Sequence, residues 1–123
     1  MLDASALLAL MLGEAGADAV HAILPNARIS AVNLSEVVAK LQERAVPESV
    51  IADSLAELDL DVVAFDQPQA MRAGLLRQAT RAAGLSLGDR ACLASAAMAG
   101  ATAMTTDRVW GDLDLDIAIK VAR

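Results

Sequence analysis

The apolar residues of this chain alternate between helical spacing and short aliphatic runs, which restricts the folds the chain can adopt. Between residues 34 and 41 they follow the i, i+3, i+4, i+7 pattern of an amphipathic helix, and Ser30 stands at the N-cap position. Residues 28–30, just before, are predicted to form a short strand. Strands alternating with helices favour a parallel sheet covered by helices. The sequence therefore predicts an α/β fold, a three-layer α/β/α sandwich with a mostly parallel central sheet.

The same patterns place the other elements. Further helices are predicted around residues 7–11 and over 14–24, from Pro47 to 58, over 67–83 and over 87–99. Gly84 and Gly100 should end the last two helices, and Ser86 should cap the start of the last one. Further strands are predicted over residues 62–65, 102–105 and 117–121. Most helices therefore fall in pairs between strands.

Composition limits the size and location of the protein. Hydrophobic residues make up 56% of the chain and aromatic residues only 2%, so helices and aliphatic strands must pack closely. A length of 123 residues predicts a single domain spanning 1–123. The longest uncharged stretch, residues 91–104, is shorter than the roughly 20 residues of a membrane span, so no membrane segment is predicted. Cys92 is the only cysteine, which excludes an internal disulfide and suits a reducing cytoplasm.

The charge of the chain argues against one class of nucleic-acid-binding protein. The net charge is −6, and the arginines are scattered rather than clustered. A protein that binds nucleic acid mainly through phosphate contacts usually carries a basic face. An enzyme whose acids hold a metal ion, which then meets the phosphate, is not excluded.

Asp3, Glu36, Asp89 and Asp107 are the candidate functional residues, and each also has an ordinary structural explanation. Asp3 and Asp107 could cap the segments that follow them, because acids are common at helix starts. Asp89 lies three residues after Ser86, the acid position of a capping box. Glu36 belongs to a polar ridge that could face solvent; the other members of the ridge are Asn33, Lys40 and Glu43.

Considered together, the four acids predict a shared site. In parallel α/β sheets, ligands bind beyond the carboxyl ends of the strands, where the following helices begin. Asp3 and Asp107 would each follow a strand, while Glu36 and Asp89 lie near the starts of predicted helices. Clustered carboxylates repel one another unless a cation neutralises them, and Mg²⁺ prefers carboxylate and water oxygens. The sequence therefore predicts a metal site that suits Mg²⁺.

Other chemistries find less support in the sequence. His21 and Cys92 are the only members of their kinds, so no zinc set and no histidine-based triad is indicated. No glycine-rich phosphate loop is present. The hydroxyls of Ser5 and Thr106 lie close to site acids and either support them or act as caps.

Four segments resemble the PIN-domain family, and most closely the VapC-type ribonuclease toxins of bacterial toxin–antitoxin pairs. In chain order they are LDASALLAL, ISAVNLSEVVAKL, GLSLGDRACLASA and AMTTDRVWGDLDL. The resemblance covers essentially the whole chain. It implies an α/β/α fold, a Mg²⁺- or Mn²⁺-dependent endoribonuclease activity, a homodimer, and inhibition by a small protein antitoxin.

The resemblance also assigns residues. The family's acids fall, in order, on Asp3, Glu36, Asp89 and Asp107, and its two polar positions fall on Ser5 and Thr106. Asp112 is a further acid near the site in position. The chain departs from the family pattern at its start, because only Met1 and Leu2 precede the first acid where several apolar residues normally form the central strand.

The resulting hypothesis is a cytoplasmic endoribonuclease that hydrolyses RNA phosphodiester bonds. Asp3, Asp89 and Asp107 are expected to bind the metal, and Glu36 either binds it or orients the attacking water. Arg90 and Arg108 either contact phosphate or are ordinary surface arginines.

Two alternatives remain. One is a catalytically inactive PIN-like module that binds a protein partner. The other is a phosphoryl-transfer domain, which Ser5 disfavours because a dehalogenase-type phosphatase needs a second aspartate there. A receiver-type domain is disfavoured because Lys120 lies too near the end of the sequence.

Overall fold

The computed structural model describes residues 1–123 and shows short parallel strands between helices. The helices are α1 (Ala4–Leu12), α2 (Ala17–Ile23), α3 (Ala31–Glu43), α4 (Glu48–Leu58), α5 (Gln67–Leu75), α6 (Arg77–Thr80) and α7 (Leu87–Ala99). The strands are β1 (Arg28–Ser30), β2 (Asp61–Val63), β3 (Ala103–Thr105) and β4 (Ile119–Val121). Short 3₁₀ helices span Leu24–Asn26 and Arg108–Asp112. The predicted α/β fold is confirmed.

The first residues of the chain join two strand pairs into one sheet. β1 pairs in parallel with β2, and β3 pairs in parallel with β4. Leu2 forms parallel bridges with both Ile29 of β1 and Met104 of β3, so the strand order is β2, β1, residues 1–3, β3, β4. The central strand is short, but its backbone is paired on both sides: the amide of Leu2 donates to Arg28 and the amide of Asp3 donates to Met104, at 2.8 and 3.0 Å.

Two apolar clusters cover the two faces of the sheet. Leu2 and Met104 belong to the cluster built with α1, α2, α3 and α4, whereas their neighbours Met1 and Ala103 belong to the cluster built with α7 and Trp110. Neighbouring residues therefore point in opposite directions, as the two-residue period of a strand requires. The helices thus form the two outer layers of the sandwich.

Alanine allows α7 to pack closely. Ala91, Ala94 and Ala96 are buried in it, and α5 packs against it. The only large aromatic side chain of the core is Trp110, which is fully buried. The close packing expected from an alanine-rich chain with few aromatic residues is therefore present.

The helix predicted over residues 67–83 is divided in the structure. α5 ends at Leu75 and the short α6 begins at Arg77, so the prediction of one long helix is wrong. The guanidinium of Arg90 donates to the carbonyl oxygen of Ala73 at 3.0 Å, and the hydroxyl of Thr80 donates to the carbonyl of Leu76 at 2.8 Å. Both contacts supply partners for carbonyls near the interruption, which stabilises it locally.

The remaining boundaries differ from the predictions by a few residues. Pro47 is the N-cap of α4 rather than its first helical residue. Ser30 and Ser86 cap α3 and α7 as predicted, and Gly100 ends α7 in the left-handed conformation, with φ 61°.

No single helix is long and apolar enough to cross a membrane. By length and composition alone, the pair formed by Ala4–Leu12 and Ala17–Asn26 would qualify, with a bend of 105° at its break. Within this pair, Leu7 and Val20 are fully buried in the protein core.

Candidate active site

Asp3 lies at the carboxyl end of the central strand and is buried, with 3% of its surface exposed. As the N-cap of α1, it accepts a hydrogen bond from the amide of Ala6 at 2.8 Å. The hydroxyl of Ser5 lies 2.7 and 2.9 Å from its two carboxylate oxygens. The hydroxyl of Thr105 donates to Oδ2 at 2.5 Å. Asp3 is therefore held in one orientation by contacts from its own helix and from β3.

Thr105 connects Asp3 with the loop that carries Asp107. Its hydroxyl accepts a hydrogen bond from the amide of Asp107 at 3.0 Å while it donates to Asp3. Thr106, which was predicted to supply the polar side chain, contributes its backbone amide instead and donates to the Ser5 hydroxyl at 3.0 Å. The sequence reasoning missed Thr105. The signal that could have found it is strand alternation, which places residues 103 and 105 on the same face.

Glu36 is half-buried on α3 and lies directly against α7. Its Oε1 accepts a hydrogen bond from the side-chain amide nitrogen of Asn33, Nδ2, at 3.2 Å. The same nitrogen donates to the backbone carbonyl oxygen of Gly88 at 2.9 Å. Asn33 is only 1% exposed, so it does not belong to a solvent-facing ridge, whereas Lys40 and Glu43 are exposed. Asn33 and Gly88 are further residues of the site that the sequence reasoning missed.

Asp89 forms the capping box of α7. Its Oδ2 accepts from the Ser86 amide at 2.9 Å, and the Ser86 hydroxyl accepts from the Asp89 amide at 3.2 Å. Asp107 is exposed and accepts from the amide of Val109 at 3.0 Å. With Asp3, three of the four acids thus cap helical segments, as their ordinary structural explanation proposed.

The remaining predicted residues lie in different environments. Arg108 and Asp112 are exposed at the two ends of the 3₁₀ helix that follows Asp107. Arg90 is partly buried, and its guanidinium is bound to the Ala73 carbonyl of α5. That contact directs the Arg90 guanidinium toward α5.

The charges of three acids act on one another. Burial raises the pKa of Asp3 above its ordinary value, hydrogen bonds from Thr105, Ala6 and Ser5 oppose this shift, and the charge of Asp89 adds to it. Burial also raises the pKa of Glu36, followed by the charge of Asp89, while the hydrogen bond from Asn33 opposes the shift. Two smaller effects act on the pKa of Glu36: the charge of Asp3 raises it, and the charge of Lys40 lowers it. The charge of Asp89 therefore acts on both Asp3 and Glu36, and Asp107 is connected to Asp3 by hydrogen bonds through the Thr105 hydroxyl.

The donor set fits a hard divalent cation in its chemistry. Carboxylate oxygens are the preferred protein ligands of Mg²⁺, and a cation would stabilise the charged forms of Asp3 and Glu36, which burial and the charge of Asp89 disfavour. A Cβ atom at Gly88 would lie 1.7 Å from Oε1 of Glu36, so only glycine leaves room for this carboxylate. As they stand, no three acidic, histidine or cysteine side chains are close enough to hold one ion together. Binding would therefore require a rotation of some carboxylates away from their caps.

Comparison with known proteins gives a family and a fold. The sequence model of the PIN domain family matches residues 1–115. A structure described as a toxin–antitoxin complex from Klebsiella pneumoniae is similar with a TM-score of 0.78 at 22% identity, over 99% of this chain and 96% of that chain. The crystal structure of FitAcB from Neisseria gonorrhoeae is similar with a TM-score of 0.66 at 20% identity, over 96% and 94% of the two chains. No curated protein matches the sequence. At these identities the structural likeness establishes the fold.

Proposed function

Because this chain belongs to the PIN domain family, whose members are nucleases, we propose that it is an endoribonuclease that depends on Mg²⁺ or Mn²⁺. The observation that carries the proposal is the placement of the buried Asp3 carboxylate at the carboxyl end of the central strand, where the charge of Asp89 acts on it and on Glu36. Asp107 lies at the end of the neighbouring strand β3 and is joined to Asp3 through Thr105.

In the proposed reaction, water attacks the phosphorus of an RNA phosphodiester, the P–O bond to one of its two ribose oxygens breaks, and that oxygen leaves and takes up a proton to become a hydroxyl. Asp3, Asp89 and Asp107 would hold one or two divalent ions, and Glu36 would bind an ion or orient the attacking water. Such ions polarise phosphoryl oxygens and lower the pKa of water. Ser5 and Thr105 hold the Asp3 carboxylate in one orientation at the carboxyl end of the central strand.

A nuclease assay tests this proposal. Purified protein should cleave RNA in the presence of Mg²⁺ or Mn²⁺ and lose this activity in EDTA. The Asp3→Asn variant should lose it while staying folded. Glu57→Gln is a matched control, since Glu57 is exposed on α4 and is not among the groups that shift the pKa of Asp3 or Glu36. Equal cleavage by wild type and Asp3→Asn would contradict the proposal.

A second candidate function is an inactive PIN-like module that binds a protein partner. The observation that favours it is that the carboxylates of Asp3, Asp89 and Asp107 already accept capping hydrogen bonds, and no three acids meet. Titration with Mn²⁺ separates the two candidates. The nuclease should bind Mn²⁺ with an affinity that falls in Asp3→Asn, whereas the inactive module should show no binding that depends on this residue.

We further propose that the protein is the toxin of a toxin–antitoxin pair and that it works in the cytoplasm. The similar structure from Klebsiella pneumoniae is a toxin–antitoxin complex, which supports a partner of this kind. The net charge of −6 favours an antitoxin with a basic segment that lies across the acidic site. Co-expression with the neighbouring reading frame should yield a complex that no longer cleaves RNA. Equal cleavage by the free and the mixed enzyme would contradict this partner.

A further inference from the structure

The side chain of Asn33 is hydrogen-bonded both to Glu36 and to α7. It lies one turn before Glu36 on α3, at the i, i+3 spacing that places two side chains next to each other. Its amide group donates to Oε1 of Glu36 at 3.2 Å and to the carbonyl oxygen of Gly88 at 2.9 Å. One buried amide therefore holds the carboxylate of α3 and the first turn of α7 together.

The backbone of Gly88 forms the surface on which this carboxylate rests. A Cβ at position 88 would lie 1.7 Å from Oε1 of Glu36 and 2.5 Å from its carboxyl carbon. Any side chain there would push the carboxylate away. The next residue in the chain is Asp89, whose charge already acts on Glu36. The contact at Gly88 thus determines how far the acid of α3 stands from the acid of α7.

Asn33 is buried although its side chain is not fully hydrogen-bonded. Its Oδ1 is buried and has no hydrogen-bond partner, although the residue is 1% exposed. A buried polar atom without a partner costs free energy, and an apolar residue of similar shape would avoid that cost. The benefit that offsets it must come from the two donor contacts, and one of these is with a site acid.

We propose that Asn33 is a positioning residue, which fixes the Glu36 carboxylate against Gly88 and so sets its geometry toward Asp89 for cation binding. This inference rests on the proposed metal-dependent function. Asn33 would not touch the cation or the RNA. It would act only through Glu36, as hydrogen-bonding partners of metal ligands commonly do.

Gln69 offers a matched control within the same chain. Its side chain is also a largely buried amide, 8% exposed, and its Oε1 accepts from the hydroxyl of Ser95 at 3.0 Å. It links α5 to α7, as Asn33 links α3 to α7, but contacts none of the four acids. If buried amides that contact α7 had a purely structural role, substitutions at both positions would change the Mn²⁺ affinity equally.

The test compares Asn33→Leu with Gln69→Leu by calorimetric titration with Mn²⁺ and by thermal unfolding in EDTA. Asn33→Leu should weaken Mn²⁺ binding by about 10- to 100-fold, the range typical of such partners. Its unfolding temperature in EDTA should fall no further than that of Gln69→Leu, because each substitution leaves a hydrogen-bonding group without its partner. Gln69→Leu should leave the Mn²⁺ affinity unchanged.

A double-mutant cycle with Glu36→Ala shows whether Asn33 acts through Glu36. In the Glu36→Ala background, Asn33→Leu should cause no further loss of Mn²⁺ affinity. If Asn33→Leu does not fold, Gly88→Ala displaces the same carboxylate without altering Asn33 and should weaken Mn²⁺ binding to a similar extent. Additive losses of Mn²⁺ affinity in the cycle would overturn the positioning role. Equal losses of Mn²⁺ affinity in Asn33→Leu and Gln69→Leu would overturn it as well. A wild-type protein that binds no Mn²⁺ would overturn the proposed function, and this inference with it.

Discussion

The hydroxyl of Thr105 is placed where a single side chain can affect two of the candidate acids. It is fully buried, donates to Asp3 and accepts from the amide of Asp107. Removing the hydroxyl leaves a buried carboxylate oxygen and a backbone amide without this partner. The loss of a buried hydrogen-bond partner costs about 1–3 kcal/mol, because the remaining group has already given up its water.

The first prediction concerns the substitution Thr105→Val, which keeps the shape of the side chain and removes the hydroxyl. We expect unfolding in urea to show a loss of about 1–3 kcal/mol, and RNA cleavage to fall by about 10- to 100-fold because Asp3 is no longer held. Thr105→Ser retains the hydroxyl and should keep most of the activity. If Thr105→Val cleaves RNA as fast as Thr105→Ser, the hydroxyl does not support the site.

The second prediction concerns the charge of Glu36. Burial and the charge of Asp89 raise its pKa above the ordinary value of 4.5, so the folded protein holds this proton more tightly than the unfolded chain does. The tighter binding of this proton stabilises the folded state. That contribution is fully present below pH 4.5 and is lost as the pH rises through the raised pKa of Glu36. Glu36→Gln keeps an oxygen acceptor for Asn33 and removes the charge. In EDTA at neutral pH the variant should therefore unfold at a higher temperature than the wild type.

The pH dependence of this effect provides its control. The advantage of Glu36→Gln should disappear as the pH falls below 4.5, where the wild-type carboxyl is protonated in both states. Glu57→Gln, on the exposed surface of α4, should show no comparable change. A Glu36→Gln variant that is less stable than the wild type at neutral pH would show that its charge is compensated in the metal-free protein.

At the scale of elements, α7 starts with two residues that can be tested separately. Ser86 and Asp89 together form the capping box, but only Asp89 carries a charge that acts on Asp3 and Glu36. A capping role and a ligand role therefore predict different results for the two residues, because a cap stabilises the helix regardless of any metal ion.

The third prediction compares Ser86→Ala with Asp89→Asn. Ser86→Ala should lose about 0.5–2 kcal/mol of stability, equally with and without Mn²⁺, and keep its RNA cleavage. Asp89→Asn retains an acceptor for the Ser86 amide, so the metal-free protein should be as stable as the wild type or more stable. The stabilisation that Mn²⁺ adds should shrink, and cleavage should fall by orders of magnitude. If Asp89→Asn is destabilised equally with and without Mn²⁺ and cuts RNA at the wild-type rate, Asp89 acts only as a helix cap.

At the scale of the whole molecule, several large apolar side chains remain exposed. Val38 and Val50 lie on α3 and α4, whereas Met71 and Leu75 lie on α5 and Met98 on α7. Leu75 is 72% exposed, the highest value among them. Leu7 of α1, by contrast, is fully buried and supplies no such surface. Exposed apolar faces on a small protein favour association with a second copy.

The fourth prediction is therefore a homodimer. Light scattering at micromolar concentration should give about twice the chain mass of 12.7 kDa. Val50→Lys places a charge on the exposed apolar residues of α3 and α4, and Leu75→Lys places one on those of α5 and α7. One of the two variants should shift the protein toward the monomer. A wild-type mass of 12.7 kDa would contradict the prediction.

Much of the fold could be predicted because the signals are local. Ser30 and Ser86 are each bonded to an amide two or three residues along the chain, and the helices they cap appear where they were predicted. The alternation of helix and strand, which indicated the α/β class, likewise depends on neighbouring residues. The positions of Asp3 and Asp107 follow from the same patterns, since Asp3 directly precedes α1 and Asp107 directly precedes the 3₁₀ helix Arg108–Asp112.

The tertiary structure alone decided which side chains surround the acids. Thr105 and Asp3 are separated by 102 residues, and Asn33 and Gly88 by 55. Their contacts depend on the register of Leu2 against Met104 and on the packing of α3 against α7. The break between α5 and α6 has the same origin, since a residue of α7 binds the Ala73 carbonyl. Local patterns fix where helices and strands form, but a register or a helix contact is set by the free energy of the whole packed core.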